Sequence, residues 1–303
     1  MRRLILLITI LLSLGLIDKP SQAILDEYIT SIDPPINYSA LMKVTVGNSS
    51  DRVEVLKIGD YTSFSLKYNN SQIYIIKMGG NYSIVSDVPV NIGALLWAYR
   101  FSKDTTLILK NYNVVFDAYE TTNKTKTMKI SFNPRYETGI KRIVWISQLP
   151  KLLIRLEDRD YNGNLIRTKE ITNIKLNPPV EKKKIIESLF NKGIKVPGRE
   201  TLLSSLYVSK ELGFNLVIPN NLPVGYEFIG ADIPQEEIGQ LVFTDGIGFI
   251  SLYQIKVPWW ARQNIPPEVK DVIEWEESGI HFILVGDLPS DKLIGIANSV
   301  KKK

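Results

Sequence analysis

The chain of 303 residues contains no cysteine and a single histidine, His281. Without cysteine there is no disulfide, no thiolate nucleophile, no thiolate metal site and no cysteine that could carry a lipid anchor. One histidine excludes a His-rich zinc site. It leaves a Ser-His-Asp arrangement only through His281, which lies in the apolar stretch 279–286. No Gly-x-Ser-x-Gly elbow exists to supply a nucleophile, and neither a phosphate-binding Walker loop nor a dinucleotide glycine fingerprint is present. Carboxylates are plentiful, but no spacing marks a pair of them for hydrolysis. The expectation is a protein that is not an enzyme and uses neither metal nor cofactor. One stretch, Asp158-Arg159-Asp160-Tyr161-Asn162-Gly163, matches the opening of a calcium loop. Its twelfth position is Lys169 rather than Glu, and its flanks alternate like strands, so a plain hairpin turn explains it better.

Long apolar runs are also missing, except at the start. Arg2 and Arg3 precede an apolar run over residues 4–16, and Ser21-Gln22-Ala23 follow a polar break. A charged segment, a short apolar segment and small residues at a cleavage site are the anatomy of a signal peptide, here 1–23. The run is short for a membrane span, which takes about 20 apolar residues. An exported protein of the periplasm or extracytoplasmic space is therefore expected. Arg2, Arg3 and Lys19 against Asp18 account for two of the five net positive charges, leaving +3 on the remainder. That balance is too mild to argue for nucleic acid.

What is abundant is alternation. Tyr38, Ala40, Met42, Val44 and Val46 share one parity, as do Phe64, Leu66 and Tyr68, then Tyr112, Val114, Phe116 and Ala118, then Met128, Ile130 and Phe132. Period-two patterning places one face of a sheet on a core and the other in water. Residues 73–78 are apolar at both parities, which predicts cover on both faces. Asn69-Asn70, Gly79-Gly80-Asn81, Thr122-Asn123-Lys124 and Asn162-Gly163 supply hairpin turns. Helices are predicted at 24–32 and 92–101. The first domain, 24–178, thus reads as a large, strongly curved antiparallel sheet, an open barrel with helices on its concave face. Pro178-Pro179 ends the last strand. A linker with a short helix follows over 179–198. A smaller α+β domain occupies 199–303, with strands near 226–233, 241–243, 248–254, 272–275 and 281–285 and a last helix from Ser290.

A curved sheet under helices can leave a hollow for an acyl chain. Its candidate lining is Met42, Phe64, Leu66, Trp97, Phe101, Phe116, Ile130 and Trp145. Trp259 and Trp260, adjacent in a loop after Pro258, are candidates for a partner interface, because two neighbouring indoles point different ways.

Two blocks resemble known families. Lys141-Arg142-Ile143-Val144-Trp145-Ile146, then Pro150, Leu152, Arg155, Glu157, Asp160 and Asn162-Gly163, up to Ile174, resemble the back half of the LolA/LolB lipoprotein-carrier fold. Leu222-Pro223-Val224-Gly225-Tyr226, Leu241-Val242-Phe243-Thr244-Asp245-Gly246-Ile247, Val285-Gly286-Asp287-Leu288-Pro289 and Ile296-Ala297-Asn298-Ser299-Val300 resemble the C-terminal domain of the RseB/MucB family. That family joins both domain types in this order behind a signal peptide, so the resemblance covers about 24–303. It implies a LolA-like first domain and a periplasmic regulator. Such a regulator binds the extracytoplasmic region of an anti-sigma factor, shields it from proteolysis, and responds to a lipid or a lipoprotein acyl chain. The alternative reading is a periplasmic lipoprotein or lipid carrier. Self-association into a homo-oligomer is left open by the sequence.

Overall fold

The computed structural model of the protein describes residues 21–68, 70–79, 81–87, 103–197, 202–235, 237–256 and 272–300. The expected helix at 92–101, with Trp97 and Phe101, and the loop carrying Trp259 and Trp260 lie outside these residues, as does most of the expected signal peptide. Ser21-Gln22-Ala23 open the first helix, α1 (Ser21–Ile32). Among the described residues no helix is long and apolar enough to cross a membrane.

Five hairpin strands follow: β1 (Tyr38–Val46), β2 (Ser49–Ile58), β3 (Tyr61–Tyr68), β4 (Ser71–Met78) and β5 (Asn81–Val85). A short helix, α2 (Thr105–Asn111), leads into β6 (Tyr112–Thr122), β7 (Thr125–Pro134), β8 (Lys141–Ser147), β9 (Leu153–Arg159) and β10 (Leu165–Leu176). After α3 (Glu181–Lys192) comes β11 (Ile194–Pro197). These strands form one antiparallel sheet of eleven, in the order β11-β5-β4-β3-β2-β1-β10-β9-β8-β7-β6. Nearly every neighbour is a hairpin partner; the long-range closure is β1 against β10, from Tyr38 opposite Leu176 to Val46 opposite Arg167. The turns follow the predicted chemistry, with left-handed backbone at Asn70, Asn123, Lys124, Gly79 and Gly163.

Period two decides the faces. Tyr38, Ala40, Met42 and Val44 of β1 join Val53, Val55, Leu66, Ile73, Ile75 and Ile84 in one buried cluster. On the same face, β6–β9 carry a second cluster: Val114, Met128, Ile130, Phe132, Val144, Ile146 and Leu156, covered by Ile24, Leu25 and Tyr28 of α1. Both clusters face one way because Lys169 of β10 is paired with Leu156 on one side and with Val44 on the other. This face is called inner below.

The double-sided apolarity of β4 is met by α3. Ile73 and Ile75 belong to the inner cluster, while Ile76, with Ile58, packs on Ile186 and Phe190 of α3 across the outer face. Gly193 ends α3 so close to β5 that a Cβ there would stand 2.3 Å from Ser83 Oγ. The chain then runs directly into β11 along β5, with Ile194 opposite Ile84. Residues 179–197 therefore lie fastened to the far edge of the first sheet.

The second unit is a five-stranded antiparallel sheet in the order β12-β13-β14-β16-β15. Its strands are β12 (Glu227–Gln235), β13 (Ile238–Thr244), β14 (Phe249–Lys256), β15 (Val272–Glu277) and β16 (Ile280–Gly286). Helices α4 (Ser205–Leu212) and α5 (Ser290–Val300) add Val208, Leu293, Ile296, Ala297 and Val300 to a core with Leu241, Phe243, Ile250, Leu252, Phe282 and Leu284. Ser204 caps α4 by accepting from Tyr207 N, and Gly213 closes it in the left-handed region. The mostly β fold expected from the sequence, an open curved sheet plus a smaller α+β unit, is the observed one.

Phe190 is the α3 anchor: it is buried and meets Tyr61 edge-on at 5.8 Å. Phe190→Ala is expected to cost about 3 kcal/mol, the usual loss for a buried aromatic. Thermal unfolding checks this, and a change within about 0.5 kcal/mol would show that α3 is not held by this cluster.

Candidate functional site

The turn between β13 and β14, residues 245–248, is the place where the two sheets meet. Ile247, at its tip, is only 1% exposed and belongs to the inner-face cluster of the first sheet, not to the core of its own unit. Gly246 permits this insertion: its φ is +102° and a Cβ would stand 2.9 Å from the backbone N of Ile108 in α2. Gly248 is pressed as closely on the other side, where a Cβ would stand 2.4 Å from Tyr226 Oη. Ile140 is the first-sheet neighbour there.

Polar groups around this plug hold it in place. Asp245 Oδ1 accepts from the backbone N of Ile247 (2.9 Å) and of Gly248 (2.7 Å), which shapes the turn, while Oδ2 accepts from Tyr112 Oη across the junction (2.6 Å). Asn111 Nδ2 donates to the carbonyls of Gly225 (2.9 Å) and Asp245 (2.8 Å). Thr138 Oγ1 donates to Val224 O, and Lys110 pairs with Glu227 at the exposed rim.

Beside the plug lies a row of buried charge on the inner face. Arg142 of β8 grips Asp158 of β9 with two bonds, Nε to Oδ1 (2.7 Å) and Nη2 to Oδ2 (2.9 Å), and donates to Tyr28 Oη of α1 (3.2 Å). Arg167 of β10 donates to the same Asp158 (Nε to Oδ2, 3.0 Å) and reaches Asp287 of the second unit at 3.6 Å. Burial opposes the charge on Asp158, but the two guanidiniums overcome it and hold the carboxyl well below the usual carboxylate range. Burial pushes Asp287 up, with Arg167 opposing. Lys169 sits one rung further in, held well below its ordinary value by burial and by Arg167 and Arg142. Removing one member of such a set strands its partners and costs about 3–5 kcal/mol. Three buried oxygens at the junction, on Asn111, Tyr226 and Asp287, have no hydrogen-bond partner among the described residues.

The predicted lining residues divide between places. Met42 and Leu66 are buried together and Phe64 packs beside them; Ile130 is buried in the second cluster with Phe116 at its margin. Both groups are on the inner face. Trp145 is not with them. It stands opposite Lys129 and Arg155, one residue out of phase with Val144 and Ile146, and so projects on the outer face. Asp158, the first residue of the apparent calcium loop, points into the buried row. Asp160 accepts from Asn164, so that stretch is a hairpin turn, and no cluster fit for a metal occurs among the described residues. His281 stands 3.8 Å from Glu274 on the β15–β16 ladder. Sequence reasoning missed the junction: Arg142, Asp158, Arg167 and Lys169 are charged residues on a core-facing parity, and α2 is a short helix of 7 residues with Asp104 as its cap. Asp245-Gly246-Ile247 is legible in the sequence as part of a resembling motif, with nothing to say what it enters.

Comparison with solved structures identifies the architecture. MucB is similar over 93% of this chain and 96% of its own, with a TM-score of 0.66 at 13% identity. The chain has the MucB fold. The complex of MucA and MucB from Pseudomonas aeruginosa matches over 92% of this chain and 97% of that one, TM-score 0.61, 12% identity. A second complex, MucB with MucA(peri), matches at TM-score 0.61 and 9% identity over 93% and 97%. No protein-family model and no curated protein matches the chain. The resemblance drawn from the sequence is thus met in the fold, along almost the whole chain.

The junction has a pH sign. Burial pushes the Asp245 carboxyl from 3.8 up to about 6, against the hydrogen bonds from Tyr112, Ile247 and Gly248. A carboxyl that binds its proton more tightly in the folded state adds stability as pH falls through the folded value towards the unfolded one. Unfolding temperature is therefore expected to rise between pH 7.5 and pH 5, from a gain of about 1.4 kcal/mol over that window. Asp245→Asn, which keeps the oxygen facing the two amides, should reduce that slope; an unchanged slope would take Asp245 out of the account.

Proposed function

We propose that the chain is an extracytoplasmic, non-enzymatic regulator of the RseB/MucB kind. It holds the exported segment of an anti-sigma factor, and an apolar ligand on the inner face of the large sheet modulates that hold. The observation that carries this reading is the mechanical tie at residues 245–248. A side chain of the second unit, Ile247, is part of the first unit's inner core. Anything that parts the inner-face clusters acts on the seat of the second unit, and a partner spanning both units feels the change. Support comes also from the fold shared along both units with MucB, solved in complex with MucA.

The ligand class follows from the face. Met42, Phe64 and Leu66 on one side and Phe116 and Ile130 on the other present apolar surface of one sheet, fit for an acyl chain of a lipid or lipoprotein. Trp97 and Phe101 belong to the same proposal. Trp259 and Trp260 are proposed for the partner surface. A pure carrier of lipid or lipoprotein has no use for a second unit locked into its binding face, which favours the regulator.

The test is capture, with the purified protein, of the extracytoplasmic segments of single-span anti-sigma factors encoded in the same genome. One segment is expected to bind, and adding a diacyl lipid is expected to weaken its binding several-fold. Folded protein that binds none of them would remove the regulator, and binding indifferent to lipid would remove the sensor.

A further inference from the structure

The outer face of the sheet, opposite both apolar clusters and the junction, carries a second constellation. Lys129 of β7, Trp145 of β8 and Arg155 of β9 are neighbours in register. Lys129 Nζ lies 5.4 Å and Arg155 Cζ 5.0 Å from the centre of the indole ring. Trp145 Nε1 donates to Glu120 of β6, which fixes the ring between the two cations. Lys141 and Arg159 are paired on β8 and β9 further along the same face. These groups line an open cleft of about 700 Å³.

The charges of the cleft do not balance. Four cations line it against two carboxylates, Glu120 and Glu157. Glu157 is taken by Arg155 (2.5 Å) and Arg159 (2.8 Å), and Glu120 by the indole. Lys129 and Lys141 have no carboxylate partner among the described residues, and both are half-buried in the cleft wall, which leaves the cleft with a positive excess.

An independent feature adjoins the cleft. β6 is the last strand of the sheet, and residues 117–121 are exposed one after another, at both parities. Among the described residues nothing pairs with the outer edge of β6, and side chains of both parities are exposed along this stretch. Tyr119 stands 57% exposed on this segment. The bulge between Phe116 and Ala118 bends the strand, and its end, Glu120 to Thr122, is itself cleft wall. A free edge recognises an extended main chain, and the pocket beside it selects side chains on alternate residues.

We propose that the β6 edge and the cleft form one docking surface for an extended acidic peptide, whose main chain pairs with 117–121, whose carboxylates meet Lys129 one strand in, and whose continuation beyond the paired stretch crosses the cleft to Lys141. The surface is separate from the inner face and from residues 245–248, so it stands or falls apart from the regulator described above.

The probe is a fluorescein-labelled decapeptide of alternating Glu and Val, followed by anisotropy on the full chain, with the Lys-Val peptide as control. Saturable binding of the Glu peptide that weakens with salt is expected, with none for the Lys peptide. Lys129→Ala with Lys141→Ala, two polar changes outside any core, should weaken it about tenfold. Hydrogen exchange should show new protection of the amides at 116–121 in the complex. Failure of the Glu peptide to bind, equal binding by the double variant, or binding without protection of those amides would overturn the proposal. So would displacement of the peptide by inorganic phosphate at lower concentration than the peptide itself, which would mark the cleft as a small-anion site.

Discussion

The structure depends on one intrusion, the seating of Ile247 among the inner-face residues of a sheet that belongs to another part of the chain. Hydrophobic burial drives it, but the geometry is set by polar groups. Asp245 shapes the turn through two backbone amides and is itself held from the far side by Tyr112. A glycine at 246 is required because the backbone there is left-handed and Ile108 leaves no room for a side chain. The neighbouring row from Tyr28 through Arg142, Asp158 and Arg167 to Asp287 joins a helix, three strands and the second unit through buried charge. Such a row adds little net stability over an apolar one, and its value lies in fixing one arrangement.

This explains why the fold was legible and the site was not. Alternation in β1, β3, β6 and β7 and the asparagine and glycine turns specified a large antiparallel sheet, and residues 73–78 correctly announced a covered outer face that α3 supplies. Parity also placed Met42, Leu66 and Ile130 on the core side. It failed where chemistry broke the pattern. Arg142, Asp158, Arg167 and Lys169 occupy inward positions that a hydropathy pattern assigns to water, and only their partners on other strands make them tolerable there. Trp145 failed for the opposite reason. A large aromatic in an apolar strand reads as core, yet it lies on the outer parity and is covered by Lys129 and Arg155.

The motifs that carried the family resemblance gain a physical meaning at this point. Val224-Gly225-Tyr226, Thr244-Asp245-Gly246-Ile247 and Gly286-Asp287 all converge on the junction, where Gly225 and Asp245 carbonyls receive Asn111 and Asp287 meets Arg167. Together these contacts lock the two sheets in one orientation. In the proposed regulator the same lock is the transmission. A carboxyl raised by burial at Asp245 makes it a lock that a proton can bias, and the proposal extends that bias to ligand and partner.

The most direct test of this account is a distance measurement between the two units. The cysteine-free chain accepts spin labels at Asp51→Cys and Glu276→Cys, exposed positions on β2 and β15. Pulsed dipolar spectroscopy is predicted to give one narrow distance distribution, which broadens when Ile247→Ala is added. A broad distribution without that substitution, or one that Ile247→Ala leaves unchanged, would contradict the claim that this residue seats one unit on the other.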